Sequence, residues 1–234
     1  MLSEAIKARP RLYDAINFFR PLQSSTEAWL DKFARDHRAV RFIQIGASDG
    51  LRWDSMRRFI VRYGWSGVLV EPLPQVYEML RANYAYLKRD LVFINAAVSD
   101  RQGCIDFWCA SKDFCSILPV ERQLFLLRQS SLDRDFVCRR VGSPDRIECC
   151  SVPCVTVNEI ADQHMPSGVD LLFIDAEGHD ADIIRSIDFS RLKPAIVYES
   201  HNLGPKKAPL RSFLESHGYA VSDLDGDSVA TCKT

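Results

Sequence analysis

The sequence predicts an α/β fold built on a mostly parallel sheet, and three observations carry the prediction. Five short apolar runs (Phe42–Ile45, Val68–Val70, Leu91–Ile94, Leu171–Ile174 and Ala195–Tyr198) each close on polar or small residues. Runs of that length, bounded that way, read as buried strands. The first is followed by Gly46-Ala-Ser-Asp-Gly50, which is turn chemistry, and then by Trp53, Met56, Phe59, Ile60 and Tyr63 at spacings of three and four, a helical stripe. Strand, glycine-bearing turn and helix is how an α/β fold presents backbone N–H groups to a nucleotide-like ligand.

The elements follow in chain order. Residues 1–39 read as accessory helices ahead of a main domain spanning 40–234. Leu12, Ala15, Ile16 and Phe19 share one face, Pro21 ends that segment, and Ser24-x-x-Glu27 is a capping box for a second helix with Trp29, Leu30, Phe33 and Ala34 on its buried stripe. After the second strand, Pro74 sits at a first helical turn and Val76, Met79, Leu80, Tyr84 and Leu87 give the stripe, after which Asn95-Ala-Ala97 is expected to end the third strand. Residues 101–155 form an insertion before the fourth strand of the sheet and hold seven of the eight cysteines, with no C-x-x-C pair among them. Cys104–Cys109 and Ile147–Cys154 read as two strands that pair antiparallel, with the cysteines as small apolar fillers. Between them Pro119 to Val141 reads as helical, with Leu124, Phe125 and Leu127 on its apolar side, and arches toward the mouth of the sheet. Thr156-Val-Asn-Glu159 opens a helix as a capping box. Leu210, Phe213 and Leu214 belong to a covering helix that ends near Gly218, and Asp225-Gly226 turns a terminal hairpin.

Composition narrows the function classes. The 234 residues carry 30 Lys and Arg against 31 Asp and Glu, so no broad field attracts a polyanion and no nucleic-acid partner is expected. No apolar run approaches the roughly 20 residues of a membrane span. The first residues lack the pattern of a signal peptide, which gives the expectation of a cytoplasmic protein.

The strand ends carry the chemistry. Glu71, after the second strand, suits the paired hydroxyls of a ribose. Asp175 ends the fourth strand, and in a purely extended segment Glu177 would share its face. Glu199 ends the fifth, followed by Ser200-His201-Asn202. Asp175, Glu177, His179, Glu199 and His201 are the candidates for general acid–base work at these strand ends. Asp175, Glu199 and Asn202 also offer oxygen ligands to a divalent ion, which would acidify a hydroxyl bound beside it.

These blocks (Gln44-Ile-Gly-Ala-Ser-Asp-Gly50, Val70-Glu-Pro72, Asn95-Ala-Ala-Val-Ser-Asp100, Ile174-Asp-Ala-Glu-Gly-His-Asp180 and Tyr198-Glu-Ser200) resemble the FkbM family of S-adenosylmethionine-dependent methyltransferases, in family order from about residue 40 to about 200. The resemblance implies a Rossmann-like class I methyltransferase fold, a mostly parallel seven-stranded sheet flanked by helices, and methylation of a hydroxyl on a small molecule such as a sugar, glycan or natural product. It implies a cofactor site at Gln44, Gly46, Ala47, Ser48, Asp49, Gly50, Glu71, Pro72, Asn95, Ala96, Ala97 and Asp175. Two departures stand out. Gln44 occupies a position where such enzymes often carry an acid, so it hydrogen-bonds but offers no charge to the methionine ammonium group. Ser48-Asp49 replaces a more usual Asn followed by an apolar residue. The competing readings are a non-catalytic scaffold of the same fold and a nicotinamide-dependent oxidoreductase, the latter disfavoured because Arg52 stands where a G-x-G-x-x-G pattern closes.

Overall fold

The structure, a computed structural model, describes residues 9–37 and 39–233; the reading of the first seven residues lies outside them. Helices α1 (Pro10–Phe19) and α2 (Ser25–Asp36) precede strand β1 (Arg41–Ile45). Helix α3 (Arg57–Tyr63), strand β2 (Ser66–Val70), helix α4 (Pro74–Tyr84) and strand β3 (Leu91–Ile94) follow. Strands β4 (Ala97–Val98) and β5 (Gly103–Ala110) lead into the insertion helices α5 (Lys112–Ser116), α6 (Val120–Leu127) and α7 (Arg134–Val141). The chain returns through β6 (Ile147–Val155), α8 (Val157–His164), β7 (Leu171–Ile174), α9 (Asp180–Arg185) and β8 (Ala195–Glu199). It ends with α10 (Lys207–Ser216) and the hairpin of β9 (Tyr219–Asp223) and β10 (Asp227–Cys232).

Seven strands form the main sheet in the order β3-β2-β1-β7-β8-β10-β9. β1, β2, β3, β7 and β8 run parallel, and β10 is antiparallel to both of its neighbours. The winding reverses between β1 and β7. Connections leave toward opposite faces there, so a crevice opens beyond the carboxyl ends of those two strands. Gly46 and Asp175 are the first residues past those ends.

Alternation along each strand divides the core into two faces. Ile43, Ile45, Val70, Leu172, Ile174 and Ile196 pack under α8, α9 and α10. On the opposite face, Phe42, Leu69, Leu171 and Val197 meet Leu30 and Ala34 of α2, Phe59 and Ile60 of α3, and Leu80 and Tyr84 of α4. Of the N-terminal helices, α2 covers the sheet, whereas α1 packs on α3, its Asp14 paired with Arg57 at 2.7 Å. α2 is also tied to the last hairpin, where the Thr26 hydroxyl donates to Asp227 at 2.5 Å. Among the described residues no helix is long and apolar enough to cross a membrane.

The insertion strands pair antiparallel as their sequences suggest, in a separate three-stranded sheet of order β4-β6-β5. Cys109, Cys115 and Cys154 are buried fillers, whereas Cys104 and Cys149 occupy outward positions and are exposed. The Thr156–Glu159 capping box is complete. At Ser24 only half of the box forms, because the Glu27 carboxylate turns to the Gln23 N–H at 2.7 Å.

Three local expectations are corrected. The helix expected from Trp53 begins only at Arg57, because residues 51–56 are spent in turns and the Asp54 carboxylate accepts the Met56 N–H at 2.8 Å. Trp53 takes a left-handed φ of 57° and is 52% exposed. In the insertion Leu124 and Leu126 are the buried pair, while Phe125 faces outward, its ring edge-on to Trp53 at 6.4 Å. The third strand stops at Ile94, and Ala97–Val98 leaves the main sheet to pair with β6.

Candidate active site

The turn after β1 is shaped by its neighbours. The Gly46 and Ala47 N–H groups both donate to the Val70 carbonyl at 3.0 Å, which folds the chain back on β2. Gly46 adopts a φ of +76°, and a Cβ there would lie 2.0 Å from the Asp175 carbonyl oxygen. The glycine is thus required by the adjoining strand end, which it brings against the turn.

Glu71 closes this turn from the other side. One carboxylate oxygen accepts the Ser48 N–H and the other the Leu73 N–H, each at 3.0 Å. Burial pushes Glu71 up to about 7; the two N–H groups pull the other way, and Asp49 and Asp175 add to the rise. Asn95 stays outside, its amide donating to the Glu71 and Pro72 carbonyls at 2.8 and 3.0 Å. Asp49 accepts the Leu51 and Arg52 N–H groups and pairs with the Arg52 guanidinium at 2.7 Å, so it holds the turn. A Cβ on Gly50 would strike Leu80 and Tyr84. Asp49, Gly50 and Asn95 line neither of the two cavities that open here, whereas Gly46, Ser48 and Asp175 line both.

The first cavity, about 640 Å³ with its mouth, is walled by Glu71 and Pro72 on one side and by Val76, Ala97, Phe107 and Leu132 around an apolar slot. The second, about 710 Å³, is polar, with Gln44, Asp54, Arg128, Asp175, Glu199 and Asp227 in its walls.

At the far end three carboxylates converge. Oxygens of Asp175, Glu177 and Glu199 all lie within 4.8 Å of one another. The segment is not extended as the spacing had suggested, because Glu177 takes a φ of 47°, a left-handed conformation that a non-glycine residue holds only when its surroundings impose it. Here the Glu177 carboxylate accepts from Gln129 at 3.2 Å and from Asn202 at 3.1 Å, and its carbonyl accepts the Ser131 hydroxyl at 3.0 Å. Asn202 also donates to Glu199 at 2.8 Å, while its oxygen accepts from Arg140. The third oxygen of the cluster therefore comes from Glu177, with Asn202 cross-bracing the pair through its N–H groups.

Burial, reinforced by neighbouring carboxylates, raises Glu177 to about 8 and Glu199 to about 7. Asp175 is raised as well by burial, against the Arg128 guanidinium 3.3 Å away, and its second oxygen has no partner. His201 places Nε2 3.4 Å from Glu199 and holds the Gly226 carbonyl through Nδ1 at 3.2 Å. His179 is separated from the cluster. Its Nε2 meets the Ser99 hydroxyl at 2.9 Å and its Nδ1 lies 3.3 Å from Asp182, with burial lowering its pKa. It lines the first cavity instead.

The residues that sequence reasoning missed are Asp54, Asp227, and the Arg128–Gln129 pair carried by the insertion. Asp227 and the insertion pair enter the site from elements remote in the chain, whereas Asp54 comes from the turn that follows β1.

Comparison with known proteins places this geometry. The family model described as Methyltransferase FkbM domain matches residues 44–221. No curated protein matches the chain. Among solved structures, the methyltransferase FkbM from Methylobacillus flagellatus KT aligns with a TM-score of 0.52 at 12% identity, covering 82% of this chain and 44% of that one. The METTL16 methyltransferase domain (crystal form 2) aligns with a TM-score of 0.52 at 11% identity, covering 99% of this chain and 81% of that domain. The chain spans less than half the length of the first of these. At such identities the alignments establish a methyltransferase fold, seen here as the seven-stranded, mostly parallel sheet with its crevice between β1 and β7. With the family match running from within β1 into β9 of the last hairpin, the chain belongs to the FkbM methyltransferase family.

Proposed function

We propose that this chain is an S-adenosylmethionine-dependent methyltransferase acting on a hydroxyl oxygen of a small molecule. The observation that carries the reading is the pairing of the two cavities. An apolar slot bordered by a buried carboxylate shares Gly46, Ser48, Arg128 and Asp175 with a neighbouring polar chamber that is also lined by Glu199. That sequence of surfaces matches a flat base, a ribose diol and a charged amino-acid tail in order.

The residues fit the cofactor. Ala96 and Ala97 leave room for a flat ring beside Phe107. Each Glu71 oxygen spends one acceptor position on a loop N–H and retains capacity for a ribose hydroxyl. When bound, S-adenosylmethionine supplies an electrophilic methyl group on a sulfonium centre. The protein's contribution is to hold an acceptor oxygen in line with that methyl and to remove its proton. Glu199 suits the second task. Its carboxylate lines the polar chamber, is raised to about 7, and is buttressed by His201 and Asn202. Asp175 faces the same chamber with one unpartnered oxygen, positioned to orient the acceptor hydroxyl. The near-neutral charge of the chain favours a small acceptor over a nucleic acid. The three-carboxylate cluster also offers oxygen ligands to a divalent ion, which would serve the same acidifying purpose.

The test is methyl transfer itself. Purified protein is incubated with methyl-labelled S-adenosylmethionine and a panel of sugars, glycosides and phenolic or polyketide alcohols, with and without magnesium. Label appearing on oxygen, and absent with Glu199→Gln, supports the reading. Label found only on nitrogen, carbon or RNA added to the same panel would overturn the hydroxyl assignment.

A further inference from the structure

The polar chamber contains a feature that the cofactor reading leaves unused. Gln44, on β1, is 3% exposed, and its side-chain oxygen has no partner. Its amide nitrogen donates to Asp54 at 3.1 Å. A buried acceptor without a donor is costly, so such a group usually marks a missing ligand or water. Asp54 stands beside it in the chamber wall, reached by the turn that replaces the expected first part of α3. One Asp54 oxygen takes the Gln44 amide and the Met56 N–H, and the other takes the Tyr84 hydroxyl at 3.3 Å. Arg57, whose charge acts on Asp54 from a distance, is committed elsewhere. It pairs with Asp14 at 2.7 Å and donates to the Gly50 and Asn83 carbonyls. Among the described residues Asp54 is thus a carboxylate supplied with neutral donors and no direct cationic partner, and burial raises its pKa accordingly.

A buried carboxylate and an orphaned amide oxygen side by side form an acceptor pair that suits an ammonium group, which has three N–H donors and a full charge. We propose that Asp54, together with the side-chain oxygen of Gln44, anchors the α-ammonium group of the cofactor's amino-acid end, supplying from the following turn the negative charge that position 44 lacks. The proposal rests on the cofactor assignment above. It converts the Gln44 departure from a defect into a relay: the glutamine orients the carboxylate through its N–H and meets the ligand through its oxygen.

The test is a ligand-against-mutant cycle by calorimetry. S-Adenosylhomocysteine is compared with its desamino analogue, identical except that hydrogen replaces the α-amino group. The wild-type chain should bind S-adenosylhomocysteine at least about tenfold more tightly than the analogue. Asp54→Asn should abolish that preference while leaving the analogue's affinity within about twofold, a readout that a merely structural role in the turn would not give. The exchange variant Gln44→Glu with Asp54→Asn, which moves the charge to position 44, should restore the preference. Equal wild-type affinity for the two ligands would overturn the proposal. So would an Asp54→Asn variant that weakens both ligands alike, or one that weakens neither. Should Asp54→Asn not fold, Gln44→Leu takes its place, and an undiminished preference in that variant counts against the proposal. A wild-type chain that binds neither ligand would instead fell the cofactor reading, so the two failures are told apart.

Discussion

Gly46→Ala tests the geometry that joins the cofactor turn to the reacting end. The new Cβ would be placed 2.0 Å from the Asp175 carbonyl oxygen and 3.0 Å from its carbon. Neither is the tip of a flexible side chain: the Asp175 N–H is itself bonded to the Ile45 carbonyl at 3.0 Å, so the clash must be relieved by parting β1 from β7. The φ of +76° costs an L-residue roughly 1–2 kcal/mol, and relieving the overlap about 1–3 more, a total of about 2–5 kcal/mol. For a domain of this size that corresponds to a fall in melting temperature of roughly 4–20 °C, read by circular dichroism. Gly142→Ala is the control. It has a φ of +97° but nothing within 4 Å of its Cβ, so only the conformational part should appear. If Gly46→Ala melts within about 2 °C of the wild-type chain, the packing argument at the switch point is refuted.

Other perturbations address single groups. Glu71→Ala should weaken S-adenosylhomocysteine binding by about 1–3 kcal/mol in a calorimetric titration, and unchanged affinity in a folded variant would remove Glu71 from the site. Asp175→Asn should lower turnover more than cofactor affinity; an undiminished rate would exclude that carboxylate as an essential orienting group or ligand. The ligand-free protein should lose stability as pH rises. Glu71, Glu177 and Glu199 are held at about 7, about 8 and about 7, above their ordinary values, so the folded state binds more protons than the unfolded one between roughly pH 4.5 and 8. Their stabilisation is complete below that window and is lost through it. Melting temperatures measured from pH 5 to pH 8.5 should therefore decline, and Glu177→Gln should flatten the upper part of the curve.

Most of the fold was legible because its signals are local. Short apolar runs closed by polar residues gave the parallel strands, and Thr156-x-x-Glu159 announced its helix through two reciprocal hydrogen bonds. Glu71 and Asp175 were found because a carboxylate at a strand's end points to the crevice in any fold of this class. What stayed hidden depends on contacts across the chain. Phe125 has the chemistry of a buried residue, yet Leu126 packs against Phe136, Val137 and Val141 in the insertion's own core while Phe125 turns outward to Trp53. His179 seemed to join Glu177 by adjacency, but the left-handed turn at Glu177 and Gly178 delivers it to Ser99. Asp54 looked like part of a helix start, and its bond to Gln44 requires β1 and the following turn to be folded together.

The insertion has a thermodynamic consequence. Arg128, Gln129 and Ser131 hold it to Asp175 and Glu177, and Ser131 is bonded through its backbone to Trp108 of β5. These bonds lie within the chain itself, so they form as the roof over the apolar slot folds. The entropy of fixing that segment is charged to folding, so a ligand entering the slot meets a preorganised surface and retains more of its contact energy as affinity.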